Sequence, residues 1–145
     1  MIDRIALVIV LVVLVVAVSL VVRTVARRRA LAATGQALPD ELRGRLPDGV
    51  PGIVYFYGPH CASCRQQAGI VDRLAAEERV AVIRVDATSS TTLADVFGIM
   101  TVPSTVLVDE RRTVRSVNLG LRSRDALLLQ IEELGDRPAG RIASG

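Results

Sequence analysis

The first strong pattern along the chain is an unbroken apolar run near its beginning. From Ile5 to Val22 there are eighteen residues, of which Ser19 alone is polar. As a helix this run would be about 27 Å long, which is enough to cross the hydrocarbon core of a bilayer. A buried core helix is the alternative, but such a helix would show a polar stripe. Arginines follow the run and no small-x-small cleavage pattern does, so the sequence predicts a transmembrane anchor with a basic flank over residues 1–29.

Beyond residue 50 the apolar positions are spaced as in alternating strands and helices. Runs rich in β-branched residues predict four strands, and apolar positions three and four apart predict three helices. The predicted strands are residues 53–57, 80–86, 105–108 and 114–119. The predicted helices are residues 61–78, a short helix through Leu93, Val96 and Phe97 that stops at Gly98, and residues 123–135. Serines and threonines at 89–92 are N-cap candidates for the second helix. The order β-α-β-α-β-β-α predicts an α/β fold with a parallel half joined by crossover helices, then a hairpin and a closing helix.

Two segments lack such a pattern. Residues 30–49 carry glycines and prolines among charged residues, which favours a mostly solvated linker. Their leucines recur every four residues, however, so a short amphipathic helix lying against the domain or the membrane surface is the alternative. Residues 138–145 are rich in small residues and are predicted to be a disordered tail. The globular domain is therefore assigned to residues 50–137.

The net charge of +3 is unevenly distributed along the chain. Residues 1–29 hold five arginines and one aspartate, whereas the remainder holds thirteen arginines and fourteen acidic residues. The basic character thus belongs to the membrane flank and indicates no nucleic-acid partner. Four arginines follow the apolar run, and the positive-inside rule then leaves the globular domain in the cytoplasm. The extracytoplasmic orientation is the alternative.

The candidate chemistry lies between the first predicted strand and the first predicted helix, in the stretch Cys61-Ala62-Ser63-Cys64. At a helix N-terminus, unpaired N–H groups and the helix dipole favour a thiolate over a thiol. Cys61 is therefore expected to be the better nucleophile and leaving group, and Cys64, one turn deeper, is placed to close on it as a disulfide. The pair lies at the carboxyl end of a strand, where open α/β sheets place their sites.

Three other roles are open to this pair. The first alternative is half of a zinc site. The chain has two cysteines and one histidine, His60, so a closed four-ligand site within one chain cannot form. The second alternative is a static structural disulfide, although a bridge that closes so short a loop removes little chain entropy. The third is a disused redox pair retained by a binding module. Neither a metal motif nor a nucleotide motif occurs, so the sequence predicts no cofactor beyond the thiols.

A second local signal is the stretch 100–104 (MTVPS), just before the third predicted strand. Its proline cannot donate to a sheet, so it must lie where that strand begins. Together with a CxxC after the first strand, this loop resembles the thioredoxin family over about residues 50–135. The resemblance implies a thioredoxin-like fold, in which helices flank a central mixed β-sheet, and a cis peptide bond between Val102 and Pro103. Gly120 matches a family glycine near the active site.

The activity that this resemblance implies is disulfide exchange with protein substrates. Cys61 would attack a substrate disulfide, and Cys64 would resolve the mixed disulfide. The backbone of Val102 would pair with the substrate while Pro103 shields the sulfurs, and the electron donor would be another protein or a small thiol. The sequence thus predicts a membrane-anchored thiol–disulfide oxidoreductase. The alternatives are an exported domain for cytochrome maturation or envelope protein folding, and a non-catalytic, membrane-tethered adaptor.

Several positions near the cysteines depart from the family. Tyr55 stands where many thioredoxins have a buried aspartate that helps to deprotonate the second cysteine, so that route is absent. His60 replaces the usual tryptophan, and Ala62-Ser63 replaces the usual Gly-Pro. A protonated His60 would stabilise the Cys61 thiolate, although a solvated loop histidine is an equal alternative. Tyr55 and His60 are therefore the candidates for tuning the pKa of the cysteines, and a stabilised thiolate would make the pair more oxidising.

Overall fold

The computed structural model describes residues 2–77 and 80–135. In chain order, its elements are α1 (Ile2–Ala33), α2 (Asp40–Arg43), β1 (Gly52–Tyr57), α3 (Ala62–Glu77), β2 (Ala81–Asp86), α4 (Thr91–Val96), β3 (Ser104–Val108), β4 (Val114–Leu119) and α5 (Arg124–Gly135). The four predicted strands and three predicted helices are all present, with bounds within one or two residues of those predicted. The N-cap of α4 is Ser90, which makes no side-chain capping bond. Position 78 and the predicted tail lie outside the described residues.

The four strands form one mixed sheet in the order β2-β1-β3-β4. β1 is parallel to β2 and antiparallel to β3, and β3 and β4 form an antiparallel hairpin. The predicted central mixed sheet is confirmed, but the expected parallel crossover into β3 is wrong. β2 ends and β3 begins at the same end of the sheet, so α4 has no need to travel the length of a strand. Six residues, a rise of about 9 Å, are therefore enough for it.

The pairing register defines two opposite ends of the sheet. One end, here termed the site end, is marked by the paired row Phe56, Ser104 and Leu119. The other, here termed the far end, is marked by the paired row Gly52, Val108 and Val114. β1 runs from the far end to the site end and continues directly into the CxxC segment. The cysteines and the MTVPS loop consequently meet at the site end.

Two hydrophobic clusters cover the opposite faces of the sheet. Because neighbouring strand residues point to opposite faces, Ile53 and Tyr55 join the cluster under α3 and α5, while Val54 and Phe56 join the cluster under α1, α2 and α4. Phe56 meets Phe97 edge to face, with ring centroids 5.8 Å apart. The β1 strand is buried on both faces, and it carries the active segment on a rigid base.

The segment between α1 and β1 belongs to the core. Leu38, Leu42 and Leu46 are at most 6% exposed, and they lie in the same cluster as Phe56. The preference for a mostly solvated linker is therefore wrong for these leucines, and the alternative of a short helix lying against the domain is confirmed by α2. Fully burying one leucine side chain stabilises a fold by roughly 1.5–3 kcal/mol, which outweighs the weak tendency of the flanking glycines and prolines toward an open chain.

Arg112 fastens this segment to the turn between β3 and β4. Its buried guanidinium donates to the carbonyl oxygens of Val50 at 3.1 Å and Leu46 at 3.0 Å, and also to that of Pro47. Its own carbonyl oxygen accepts a bond of 2.7 Å from the N–H of Leu38. The chain before β1 is thus held along its length by one arginine.

The α1 helix extends past its apolar run into contact with the domain. The large apolar side chains between Ile5 and Val22 are exposed, whereas Ala26, Ala30 and Ala33 are buried. By length and composition the helix is able to cross a membrane, a test that a signal sequence passes as well. Its last turns pack so tightly that a Cβ placed on Gly98 would lie 2.6 Å from the Cβ of Arg29.

Candidate active site

Cys61 and Cys64 lie where the chain passes from β1 to α3. Because α3 begins at Ala62, Cys61 immediately precedes the helix and Cys64 lies in its first turn. The two cysteines form a disulfide with their Cα atoms 5.2 Å apart. Cys61 is half-buried, whereas Cys64 is 5% exposed. The sulfur of Cys61 is therefore the one that an incoming thiol reaches first.

The surroundings of Cys61 favour negative charge on its sulfur. The backbone N–H of Cys64 donates to Sγ of Cys61 across 3.1 Å, and the hydroxyl of Ser63 lies 3.5 Å from the same sulfur. Behind them stands the positive end of the 16-residue α3, whose first turn carries no acidic residue. Such donors and such a dipole stabilise a thiolate relative to a thiol once the disulfide is reduced.

The loop carrying Val102 and Pro103 packs against the cysteines. The peptide bond between these residues is cis, which confirms the bond expected from the family resemblance. The carbonyl oxygen of Val102 lies 3.8 Å from Sγ of Cys61. A Cβ on Gly58 would lie 3.1 Å from a methyl group of Val102, so the loop also closes tightly on the segment before the cysteines. The loop thus places a backbone carbonyl beside the exposed sulfur.

Tyr55 lies directly behind the second cysteine. Its side chain is 1% exposed, and its hydroxyl donates a hydrogen bond of 2.6 Å to the carbonyl oxygen of Cys64. Burial raises the pKa of the Tyr55 phenol, and the Arg84 cation offsets part of that rise. The phenol is therefore neutral at physiological pH. It acts as a hydrogen-bond donor to the helix and supplies no base to Cys64.

A cavity of about 620 Å³ opens beside the disulfide, and its lining includes Tyr55, Tyr57, His60, Cys61, Arg65 and Arg84. Arg84 makes a two-point ion pair with Asp72 of α3, at 2.5 and 2.7 Å, and both side chains are half exposed. This pairing leaves little net charge on that wall of the cavity. His60 lies exposed at the rim. Asp72 was not predicted as part of the site, because sequence spacing gives no sign that α3 and β2 face each other here.

Gln67 is a second neighbour that the sequence analysis missed. It lies one helical turn after Cys64 and is fully buried. Its Oε1 accepts a 2.7 Å bond from the N–H of Arg122, which ties α3 to the loop after Gly120. Its Nε2 has no partner in the part of the chain that the structure describes. The sequence signal that could have indicated this contact is a glutamine on the inner, otherwise apolar face of α3.

The structure brings Cys61, Cys64, Val102, Pro103 and Tyr55 together and leaves His60 at the edge. Within residues 2–77 and 80–135, no group of three or more His, Cys, Asp or Glu side chains is placed to hold a metal ion. The sulfur of Cys61 is half exposed and has donors that stabilise a thiolate, and the buried sulfur of Cys64 can bond to it. Such a pair is suited to two-electron exchange with another disulfide. The arrangement is that of a thiol–disulfide oxidoreductase.

Comparison with known proteins agrees with this class. The thioredoxin family profile matches residues 41–133, and the chain belongs to the thioredoxin family. It is 28% identical to Thioredoxin 1 of Synechococcus elongatus over 74 residues, which cover 50% of this chain and 69% of that protein.

Two solved structures show the same fold. A mutant thioredoxin from Halobacterium salinarum NRC-1 matches with a TM-score of 0.61 at 23% identity, over 70% of this chain and 90% of that one. The dsbF protein of MTB matches with a TM-score of 0.51 at 22% identity, over 60% of this chain and 82% of that one. At these identities the likeness supports the fold alone.

Proposed function

We propose that this protein is a membrane-anchored enzyme that exchanges disulfides with protein substrates through Cys61 and Cys64. The observation that carries the proposal is the position of the Cys61 sulfur. It is partly exposed, accepts the N–H of Cys64 at 3.1 Å and lies 3.8 Å from the carbonyl oxygen of Val102. In this reaction the two thiols are the only groups of the protein that form or break covalent bonds with the substrate.

The proposed reaction begins with the reduced pair. The Cys61 thiolate attacks one sulfur of a substrate disulfide, so that a mixed disulfide forms and the other substrate sulfur leaves as a thiolate, which takes a proton from water. Cys64 then loses its proton and attacks Sγ of Cys61. This closes the internal disulfide and releases the second substrate sulfur, completing a two-electron reduction of the substrate. A dithiol protein or a small thiol restores the reduced pair, and the same steps in reverse oxidise a substrate.

The substrate would lie along the loop beside the sulfurs. Val102 is half-buried with its carbonyl facing Cys61, and its backbone would pair with an extended substrate segment. Pro103 is buried and offers no N–H, so it would shield the sulfurs without competing for hydrogen bonds. His60, at the rim, would add positive charge near the thiolate when protonated.

Tyr55 gives the resolving step a distinctive character. With a neutral phenol in place of the family's aspartate, the proton of Cys64 would pass to solvent rather than to a buried carboxylate. Cys64 is 5% exposed, so little solvent reaches its sulfur and the transfer would be slow at neutral pH. Mixed disulfides formed through Cys61 would therefore persist longer than in a thioredoxin that carries the aspartate.

The anchor would be the apolar part of α1, crossing the bilayer at residues 5–22. Its side chains are exposed, as expected for contact with lipid, and the helix continues into buried Ala26, Ala30 and Ala33. Cleavage as a signal sequence would cut the chain close to residues that pack on the domain, which favours a retained anchor. The arginines after the run favour a redox domain on the cytoplasmic side.

The test is trapping of mixed disulfides in membranes that contain the full chain. With Cys64→Ser, Cys61 is expected to capture partner proteins as adducts that dithiothreitol releases. Cys61→Ser is the matched control and is expected to capture none. Equal capture by both variants, or capture by neither, would contradict the proposal. Acceleration of insulin reduction by dithiothreitol separates an enzyme from an adaptor, because an adaptor adds nothing to the rate of the reductant alone.

A further inference from the structure

The α1 helix runs alongside β4 in the opposite direction. Just after the C-terminal end of α1, the N–H of Gly35 donates to the carbonyl oxygen of Val114 across 2.7 Å. Val114 marks the far end of the sheet. Earlier residues of α1, back to Thr24, line one cavity with β4 over most of its length, from Arg115 at the far end to Leu119 at the site end. Followed toward its N-terminus, α1 therefore leaves the domain past the site end.

A contact with another element fixes the same direction. A Cβ placed on Gly98 would lie 3.1 Å from the carbonyl oxygen of Ala26 and 3.0 Å from the nitrogen of Ala30. Gly98 lies four residues before Val102, at the start of the segment that leads to the active-site loop. The helix thus passes the segment that leads into the loop beside the cysteines.

The lengths of the two elements agree with this placement. β4 rises about 17 Å from Val114 to Leu119 at ~3.3 Å per residue. α1 also rises about 17 Å from Ala33 back to Val22 at ~1.5 Å per residue. Val22, where the apolar run ends, is thereby level with the site end of the sheet. The cysteines follow the last residue of β1 at that same end.

Basic residues line the groove between α1 and β4. Among the described residues that line a cavity of about 710 Å³ there, none is acidic and four are arginines, namely Arg27, Arg28, Arg115 and Arg122. Arg115 is paired with Asp109 at 2.7 Å, outside the cavity lining. Arg27 stands about 8 Å beyond Val22 along the helix, close to the headgroup layer of a bilayer. Guanidinium groups pair well with the phosphates found there.

From these relations we propose that the CxxC end of the domain faces the membrane, and that its substrates are membrane-bound proteins whose disulfide lies close to the lipid headgroups. The inference rests on the proposed anchor and deepens the proposed exchange activity by naming the class of substrate. A disulfide far above the membrane would meet the opposite end of the sheet. Soluble proteins would reach the site only through the gap between domain and bilayer.

The orientation is measurable with two single-cysteine forms of the full chain in lipid vesicles. One form is Cys64→Ser, labelled with a fluorophore at Cys61. The matched control carries Cys61→Ser, Cys64→Ser and Glu110→Cys, labelled at the exposed turn between β3 and β4 at the far end. Phosphatidylcholine with a nitroxide on its headgroup is the quencher. We expect quenching at position 61 to exceed that at position 110 several-fold.

In chains that float with the vesicles, three results would overturn the inference. They are equal quenching at both positions, stronger quenching at position 110, and no quenching at either position. Chains that fail to float would overturn the anchor, and the inference with it. Neither measurement requires redox turnover. Failure of the orientation is therefore distinguishable from failure of the exchange activity, which the trapping experiment reports.

The substrate class has its own test. Two synthetic transmembrane peptides would carry the same disulfide, one next to the membrane surface and one on a helical spacer of about 20 residues, or about 30 Å. The wild-type chain, reduced with dithiothreitol that is then removed, is followed in vesicles through a single turnover. The membrane-proximal disulfide should be reduced at least about tenfold faster, because the raised one cannot meet the site while both partners are anchored. Equal rates, or a faster raised substrate, would overturn the assignment.

Discussion

The hydroxyl of Tyr55 donates a 2.6 Å hydrogen bond to the carbonyl oxygen of Cys64. This bond joins the buried central strand to the helix that carries the second sulfur. Where many family members keep a base behind the second cysteine, this protein keeps a neutral donor that holds the helix start in place. At this position the side chain therefore fixes the geometry of the α3 N-terminus and does not accept a proton from Cys64.

Removing this hydroxyl tests its structural role. Tyr55→Phe is expected to lower the free energy of unfolding of the oxidised protein by about 0.5–1.5 kcal/mol, because it removes one buried hydrogen bond between β1 and α3. Tyr57→Phe, the same change at the half-buried end of β1, is expected to cost less than about 0.5 kcal/mol. Urea unfolding of the full chain in detergent measures both. Similar losses in the two variants would show that the bond to Cys64 contributes nothing specific.

The raised pKa of Tyr55 predicts a pH dependence of stability. The unfolded phenol loses its proton near its ordinary value of 10.0, whereas the folded phenol keeps it to higher pH because the side chain is buried. Above pH 10 the unfolded state therefore binds fewer protons, and stability falls as the pH rises toward the folded value. Wild type should lose stability more steeply than Tyr55→Phe between about pH 9.5 and 11 in oxidised samples. Parallel urea-midpoint curves would contradict this.

Two glycines predict opposite effects of the same substitution. Gly98 has a φ of +66°, and a Cβ there would overlap the Cβ of Arg29, so Gly98→Ala is expected to destabilise by about 1–3 kcal/mol. Gly69 lies within α3 with nothing within 4 Å of the added methyl group. Gly69→Ala should stabilise by about 0.5–1 kcal/mol. Thermal unfolding gives both signs, and a neutral Gly98→Ala would mean that α1 is not seated on the domain as described.

Arg112 provides a test of how the chain before β1 is held. Arg112→Met keeps much of the apolar stem but removes the donors to Leu46, Pro47 and Val50, at an expected cost of about 2–4 kcal/mol. Arg111→Met, one residue earlier and exposed, should change stability by less than about 0.5 kcal/mol. Proteolysis between α2 and β1 should become faster in the first variant only. Equal protection of that segment in both variants would remove the role given to Arg112.

The side of the membrane on which the domain lies is measurable with a membrane-impermeant thiol reagent. Intact cells that express the full chain are first treated with an impermeant reductant to open the Cys61–Cys64 disulfide. We expect labelling only after lysis, as the arginines after the apolar run predict for a cytoplasmic domain. Labelling in intact cells would reverse the orientation and move the protein to envelope disulfide or cytochrome chemistry.

Local patterns predicted the elements and the chemistry of the site, because both depend on short stretches of chain. β-branched runs located the strands, and the CxxC with the Val102-Pro103 loop indicated the family. The direction of β3 was missed, since residue order alone does not show at which end of a sheet a strand begins. The ion pair of Asp72 with Arg84 was also missed, because it depends on how α3 lies over β2.

Burial of the segment after α1 was predicted only as the alternative to a solvated linker, for a different reason. Glycines, prolines and charges dominate its composition, and the three leucines that decide its position are spread over nine residues. They become buried because the sheet offers them an apolar face and Arg112 satisfies the carbonyl oxygens nearby. Neither partner is visible within the segment itself.

The chain runs from α1 directly into the packed segment before β1, without a flexible linker between them. This affects the rate at which the domain meets its partners. A domain on a long flexible tether sweeps a hemisphere and meets soluble molecules according to their concentration in volume. Ala30 and Gly98 pack the domain closely against α1. With α1 as the proposed anchor, domain and anchor would diffuse as one body in the plane of the bilayer. Encounters then follow the number of partners per unit area of membrane, and crowding partners into the same patch of bilayer would speed exchange without any change in their total amount.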